Sequence, residues 1–77
     1  MTGRETMKAI MEAKDISNAD LAHSLGISLA AAWDRVNSVK LKDISSSILA
    51  QTLGAMGYKL VAIPVEADIP EAAFIID

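Results

Sequence analysis

The residues that could do chemistry in this chain do not form a catalytic set. His23 is the single histidine and cysteine is absent, so no metal site is predicted, and His23 is expected to be exposed or to support a turn. The acidic residues are scattered, the serines have no paired base, and no glycine-rich phosphate-binding motif is present. We therefore expect a protein that is not an enzyme and that needs no cofactor or metal.

The remaining polar residues are suited to holding an anion. Ser45, Ser46 and Ser47 crowd the first turn of a predicted helix, where free backbone amides and the helix dipole attract negative charge. Two lysines, Lys40 and Lys42, precede them. Ser17 and Asn18 stand at the start of another predicted helix. Each group has two interpretations, anion binding or helix capping, and the sequence does not decide between them.

Charge differs between the two parts of the chain. The formal net charge of the 77 residues is −3. Residues 1–42 contain six basic and five acidic residues, a net charge of +1, whereas residues 43–77 contain one basic and five acidic residues, a net charge of −4. An anionic partner is therefore expected to bind the N-terminal part.

Length and hydropathy restrict the class of protein further. With 77 residues the chain has room for one small domain, whose core is near the lower limit for independent stability, so burial against a partner chain would help. No apolar run approaches the roughly 20 residues that span a bilayer, and the first residues lack the pattern of a secretory signal. We expect a cytoplasmic protein that does not contact membranes.

Four segments have the apolar spacing of amphipathic helices. The first runs from about Gly3 to Lys14 and begins with a capping box formed by Thr2 and Glu5. The others are predicted over residues 19–25, 28–38 and 44–56, with Ser17 or Asn18 capping the second and Ser28 the third. Gly57 is expected to end the fourth in the left-handed conformation. The residues of the first, second and fourth helices expected to face the core are Met7, Ile10, Met11, Leu21, Ala22, Leu25, Ile44, Ile48, Leu49, Leu53 and Met56.

A strand is predicted after the fourth helix. Residues 58–63 are β-branched and aromatic without a helical period, and Pro64 would break a helix. A single strand needs a partner, which is either the closing segment AAFIID or the same strand of a second chain. Because an uncovered apolar edge would aggregate, the sequence favours a homodimer. The dimerisation residues are predicted to be Tyr58, Leu60, Val61, Ala62 and Ile63.

Gly26 separates the short second helix from the third. Glycine adopts positive φ without steric cost, and the small Ala22, four residues earlier, allows the next helix to approach. This pattern is typical of two helices that meet at a steep angle.

The stretch ADLAHSLGIS and the following LAAAWDRVN resemble the helix-turn-helix of the Cro and phage-repressor family, often called the Xre type. The resemblance covers about residues 4 to 56. It implies a mainly α, compact four-helix domain of the lambda-repressor-like type over residues 1–57, with a C-terminal β-strand and acidic tail over residues 58–77. Members often carry a dimerising strand, and GYKLVAIP is similar to one. The implied function is a sequence-specific DNA-binding transcriptional regulator, a dimeric repressor that reads the major groove with helix 28–38.

The buried face of the third helix is predicted from periodicity. In the family an aliphatic residue commonly stands six and nine positions after the turn glycine, here Ala32 and Arg35. The apolar spacing places Leu29, Ala32, Trp33 and Val36 on one face of the third helix. Because burying Arg35 unpaired would cost several kcal/mol, we expect Leu29, Trp33 and Val36 to be buried instead. The residues then turned outward are Ala31, Asp34, Arg35 and Ser38.

An outward face of this kind can read base edges in the major groove. Arg35 can pair with guanine or with a phosphate, Asp34 can accept from a cytosine amine, and Ala30 or Ala31 can contact a thymine methyl. A solvated helix face is the other interpretation. The candidate base-reading residues are Ser28, Ala30, Ala31, Asp34, Arg35 and Ser38. The candidate phosphate-binding residues are Ser17, Asn18, Lys40, Lys42, Ser45 and Ser46.

A second class of function remains open. The weak positive charge and the alanine-rich face of the third helix also fit a protein-interaction module. Such a module would be the antitoxin of a toxin–antitoxin pair, or a helix-turn-helix protein whose DNA binding is weak or lost. A steep salt dependence of DNA affinity separates the two classes.

Overall fold

The computed structural model describes residues 1–37 and 44–76. Within these ranges the helices are α1 (Gly3–Lys14), α2 (Asn18–Leu25), α3 (Leu29–Asn37) and α4 (Ser46–Ala55). The bounds predicted for α1 are confirmed. α2 begins one residue earlier than predicted, α3 begins one residue later, and α4 is shorter by two residues at its start and one at its end. The predicted end of α3 at Ser38 lies outside the described residues. The described part of the chain is therefore a mainly helical, compact four-helix domain, as predicted.

Capping boxes begin the first two helices. The Thr2 hydroxyl accepts from the amide of Glu5 at 3.2 Å, and the Glu5 carboxylate accepts from the amide of Thr2 at 2.9 Å. Ser17 and Asp20 form the same pair of bonds, each 3.0 Å long. Of the two caps predicted for α2, Ser17 is the one formed, and both helix starts are fixed by local sequence.

The core lies where the four helices meet. α3 and α4 each pack against both α1 and α2. The apolar stripe predicted on α1 is confirmed, because its three residues are among the buried ones. Ile48, predicted to face the core, is instead 39% exposed. The buried core cluster consists of Met7, Ile10, Met11, Leu21, Val36, Leu49, Leu53 and Met56.

The C-terminal ends of α1 and α4 are held together by Lys14. Its ammonium group donates to the Met56 carbonyl at 2.8 Å and lies 4.8 Å from the centre of the Tyr58 ring. Gly57 then turns the chain with φ of +83°, as predicted from its position after the helix. These contacts fix the direction in which the C-terminal segment leaves α4.

The C-terminal segment, residues 58–76, contains no β-strand, and none is formed elsewhere in residues 1–37 and 44–76. The predicted strand over residues 58–63 is therefore not confirmed, and no hairpin with the closing residues is formed. Instead the segment folds back, and the rings of Tyr58 and Phe74 meet edge to face with centroids 5.9 Å apart. An apolar groove of about 800 Å³ lies between this segment and the core, bordered by Ile10, Leu49 and Leu53.

The residues predicted to form a dimer differ in exposure. Tyr58 is half-buried against the core. The other four are exposed, and Val61 is 64% exposed. An apolar surface is thus present where the sequence predicted the dimer contact.

Candidate nucleic-acid interface

The turn between α2 and α3 is built around Gly26. This residue has φ of +67° and ψ of +33°, and its amide donates to the carbonyls of Ala22 and His23. The amide of Ile27 also bonds the Ala22 carbonyl, at 3.0 Å. A Cβ atom placed on Gly26 would meet nothing within 4 Å, so the left-handed backbone alone explains the glycine. The predicted role of Gly26 is confirmed.

The turn brings α3 directly onto α2. Ala22 is only 6% exposed, as expected for a small residue where two helices approach closely. The Ser28 hydroxyl accepts from the amide of Ala31 at 3.0 Å and so caps α3. A helix, a short turn and a second helix are the elements of a helix-turn-helix, and all three are present in residues 18–37.

The buried face of α3 differs from the one predicted. Ala32 is fully buried and Val36 is 3% exposed, whereas Leu29 is 58% and Trp33 51% exposed. The prediction that Leu29 and Trp33 are buried is therefore wrong, whereas the burial predicted for Val36 is confirmed. A buried Ala32 agrees with the repressor family's spacing and with the apolar face predicted for the third helix. A small residue at this point allows α3 to lie close to α1 and α2.

Arg35 lies against α4 rather than pointing outward. Its side chain is half-buried, and one guanidinium nitrogen donates to Gln51 Oε1 at 3.0 Å and to Thr52 Oγ1 at 3.2 Å. The fully buried Thr52 hydroxyl in turn donates to the Ile48 carbonyl at 2.8 Å. The outward placement predicted for Arg35 is wrong. That prediction assumed that a buried Arg35 would have no hydrogen-bond partner, and polar groups of α4 supply such partners.

The other predicted base-reading residues of α3 are differently placed. Ser28, Ala30 and Asp34 are exposed, and Ala31 is half-buried. Ser38 lies outside the described residues. The exposed surface of α3 that the structure brings together is formed by Ser28, Leu29, Ala30, Trp33 and Asp34, and we call it the α3 face.

The predicted phosphate-binding residues at the start of α2 already have bonding roles. The Ser17 hydroxyl and the Asp20 carboxylate hold the amides that would otherwise receive an anion. Hydrogen bonds from the backbone and side chain of Ser17, with a smaller effect of His23, lower the pKa of Asp20. Asn18 is half-buried, and its Oδ1 atom is buried without a hydrogen-bond partner. The Asp20 carboxylate thus disfavours a phosphate at this helix start.

The predicted phosphate-binding residues before α4 are only partly described. Ser45 is exposed and caps α4, accepting from the amide of Ile48 at 3.3 Å. Ser46 is exposed. Lys40 and Lys42 lie outside the described residues. The capping interpretation is confirmed for Ser45, and phosphate binding by this group stays a prediction.

The fold and the α3 face together define a helix-turn-helix DNA-binding domain. The sequence profile of the winged helix-turn-helix DNA-binding family matches residues 2–44, which is more than half of the chain, and the chain belongs to this family. The match spans α1, α2 and α3. β-Strands of the kind that build a wing are not formed in the described residues, where α4 comes next.

No curated protein and no solved structure matches the chain significantly. Among residues 1–37 and 44–76, no helix is long and apolar enough to cross a membrane.

Proposed function

We propose that this chain is a sequence-specific DNA-binding transcriptional regulator, not an enzyme, that places α3 in the major groove. The observation that carries the proposal is the exposed α3 face directly after the Gly26 turn, within the region matched by the DNA-binding family. The N-terminal part of a second, recognition helix is the element that contacts base edges in helix-turn-helix proteins.

We further propose a repressor of the Cro or Xre type that acts as a cytoplasmic homodimer. The four-helix arrangement supports the type, and the exposed apolar residues Leu60, Val61 and Ile63 support the dimer contact. In a two-fold symmetric dimer the half-sites would lie about one helical turn, roughly 34 Å, apart.

Few phosphate contacts are expected. Arg35 is the only lysine or arginine in residues 17–37, and α4 holds its guanidinium group. Charged contacts to phosphate must therefore come from outside residues 17–37. Lys40 and Lys42, which follow this range, are the candidates, because Lys14, which precedes it, donates to the Met56 carbonyl. Two to four contacts per chain predict a slope of log affinity against log salt of about −2 to −4.

Fluorescence anisotropy of a labelled duplex, titrated with the full chain between low and moderate salt, tests the proposal. We expect salt-dependent binding, and we expect Lys40→Ala with Lys42→Ala to weaken it for all sequences and to reduce the slope by about 2. Lys8→Ala, which removes an exposed charge from α1, outside both the helix-turn-helix and the predicted dimer contact, is the matched control and should change neither quantity. Binding that is absent, or that does not respond to salt, would refute the proposal.

The exposed Leu29 and Trp33 also favour a second candidate function. Large apolar side chains one turn apart on a helix, next to the acidic Asp34, suit a protein partner as well as a nucleic acid. On this alternative the chain is an interaction module, such as the antitoxin of a toxin–antitoxin pair. Its α3 face would then be protected by the partner protein, and duplex DNA would not compete.

A further inference from the structure

Two large apolar side chains occupy the surface that the proposed function places on DNA. Leu29 is 58% and Trp33 51% exposed, and neither belongs to the buried core cluster. They stand four residues apart on α3, so their side chains lie on the same side of the helix. Exposure of both on one short helix leaves a continuous apolar area without a structural role in the described chain.

The chemistry required for reading guanine is missing from this surface. Bidentate recognition of guanine uses arginine or lysine, and Arg35, the single such residue in residues 17–37, is bonded to α4. The Asn37 amide, which could have paired with adenine, donates instead to the Trp33 carbonyl at 3.2 Å. The Ser28 hydroxyl caps the helix.

We propose that the α3 face selects thymine through apolar contact of Leu29 and Trp33 with the thymine C5-methyl group. This methyl is the one apolar feature that a base edge presents in the major groove. The inference rests on the proposed function, since it requires α3 to lie in that groove. It names the base that the site prefers and the two side chains that select it.

The expected size of the effect follows from the burial of a methyl group. Burying one such group stabilises by about 0.8 kcal/mol, which is about a fourfold change in affinity at 1.4 kcal/mol per tenfold. One methyl per apolar side chain gives about a fifteenfold effect for each α3. In a dimer that binds two half-sites, the ratio of affinities with and without the methyl groups would be the square of this value.

The test compares thymine with uracil in the same duplex. A binding duplex is selected from a random library with the full chain and then synthesised with thymine or with deoxyuridine, which pairs identically with adenine but lacks the methyl. We expect the uracil duplex to bind at least fourfold more weakly at constant salt. Leu29→Ala and Trp33→Ala should each weaken binding to the thymine duplex and bring the ratio of the two affinities towards one.

Val65→Ala is the control, because Val65 is a fully exposed apolar residue that belongs to the C-terminal segment and not to the α3 face. It should keep the wild-type ratio. Circular dichroism of each variant confirms folding before binding is measured.

Three results would overturn the inference. Salt-dependent binding with equal affinity for the two duplexes would refute thymine selection and leave the proposed function intact. A wild-type ratio retained by both alanine variants would assign methyl recognition to other residues. Absence of salt-dependent binding would refute the proposed function together with the inference.

Discussion

Replacing Arg35 by alanine is expected to destabilise the domain. The guanidinium group joins α3 to α4 through bonds to Gln51 and Thr52, which lie 16 and 17 residues further along the chain. Alanine and arginine have similar helix propensities, so the change acts through these tertiary contacts rather than through the stability of α3 itself.

The magnitude follows from the surroundings of the two bonds. The bond to Thr52 is partly buried, and a hydrogen bond of a charged group in such a place contributes about 1.5 kcal/mol or more. The bond to Gln51 is exposed and contributes about 0.5 kcal/mol. We therefore expect a loss of about 2 kcal/mol, which lowers the Tm of a domain of this size by roughly 8 to 16 °C.

Thermal unfolding followed by circular dichroism measures this loss. Lys8→Ala removes a positive charge from an exposed position of α1 and is the matched control, with an expected Tm change of less than about 4 °C. In a double-mutant cycle, Arg35→Ala and Thr52→Val should couple by about 1 kcal/mol. A Tm drop no larger than the control's would show that Arg35 points outward, as the sequence alone predicted.

Three further changes test other parts of the structure. Gly26→Ala forces a Cβ into a backbone with φ of +67° and should lower the free energy of unfolding by about 1 kcal/mol. Gly54→Ala lies within α4, where nothing is near the added atom, and should raise the free energy of unfolding by about 0.5 to 1 kcal/mol. Shifts of the Tm in the same direction for both variants would refute this. The pKa of Asp20 is lower in the folded state, so its contribution to stability is present above the unfolded pKa of about 3.9 and is lost as the pH falls through the folded value. Asp20→Asn should therefore lower the Tm at neutral pH and flatten its dependence on pH below about 4, and an unchanged acid profile would contradict this. Val61→Asp should produce monomers in analytical ultracentrifugation and Val65→Asp should not; a dimer that survives the first change would exclude residues 58–63 as the contact.

Local sequence was sufficient to predict the helix starts and the turn. The capping bonds at the start of α1 join residues three apart in sequence, so the identities of Thr2 and Glu5 are sufficient to predict where the helix begins. Gly26 is equally local, because the conformation it adopts is one that other residues rarely take.

The orientation of α3 required non-local information. Leu29 and Trp33 share one apolar face of the helix with Ala32 and Val36, and periodicity alone cannot show which side of that face turns to the core. The prediction of the buried face of α3 depended on whether a buried Arg35 would lack hydrogen-bond partners. Its partners come from α4, and their proximity exists only in the folded domain.

The strand predicted over residues 58–63 also depended on non-local contacts. A strand is defined by its pairing with another segment, and the β-branched composition of residues 58–63 specifies no such segment. In the described chain these residues follow Gly57, and only Tyr58 among them packs on the core.

Amide chemical shifts of the isotope-labelled full chain, recorded while a selected duplex is added, test the central claim most directly. Placement of α3 in the major groove predicts the largest changes in residues 28–37, with smaller changes at the start of α2. Changes confined to residues 58–76, or no change in α3 at saturation, would contradict it.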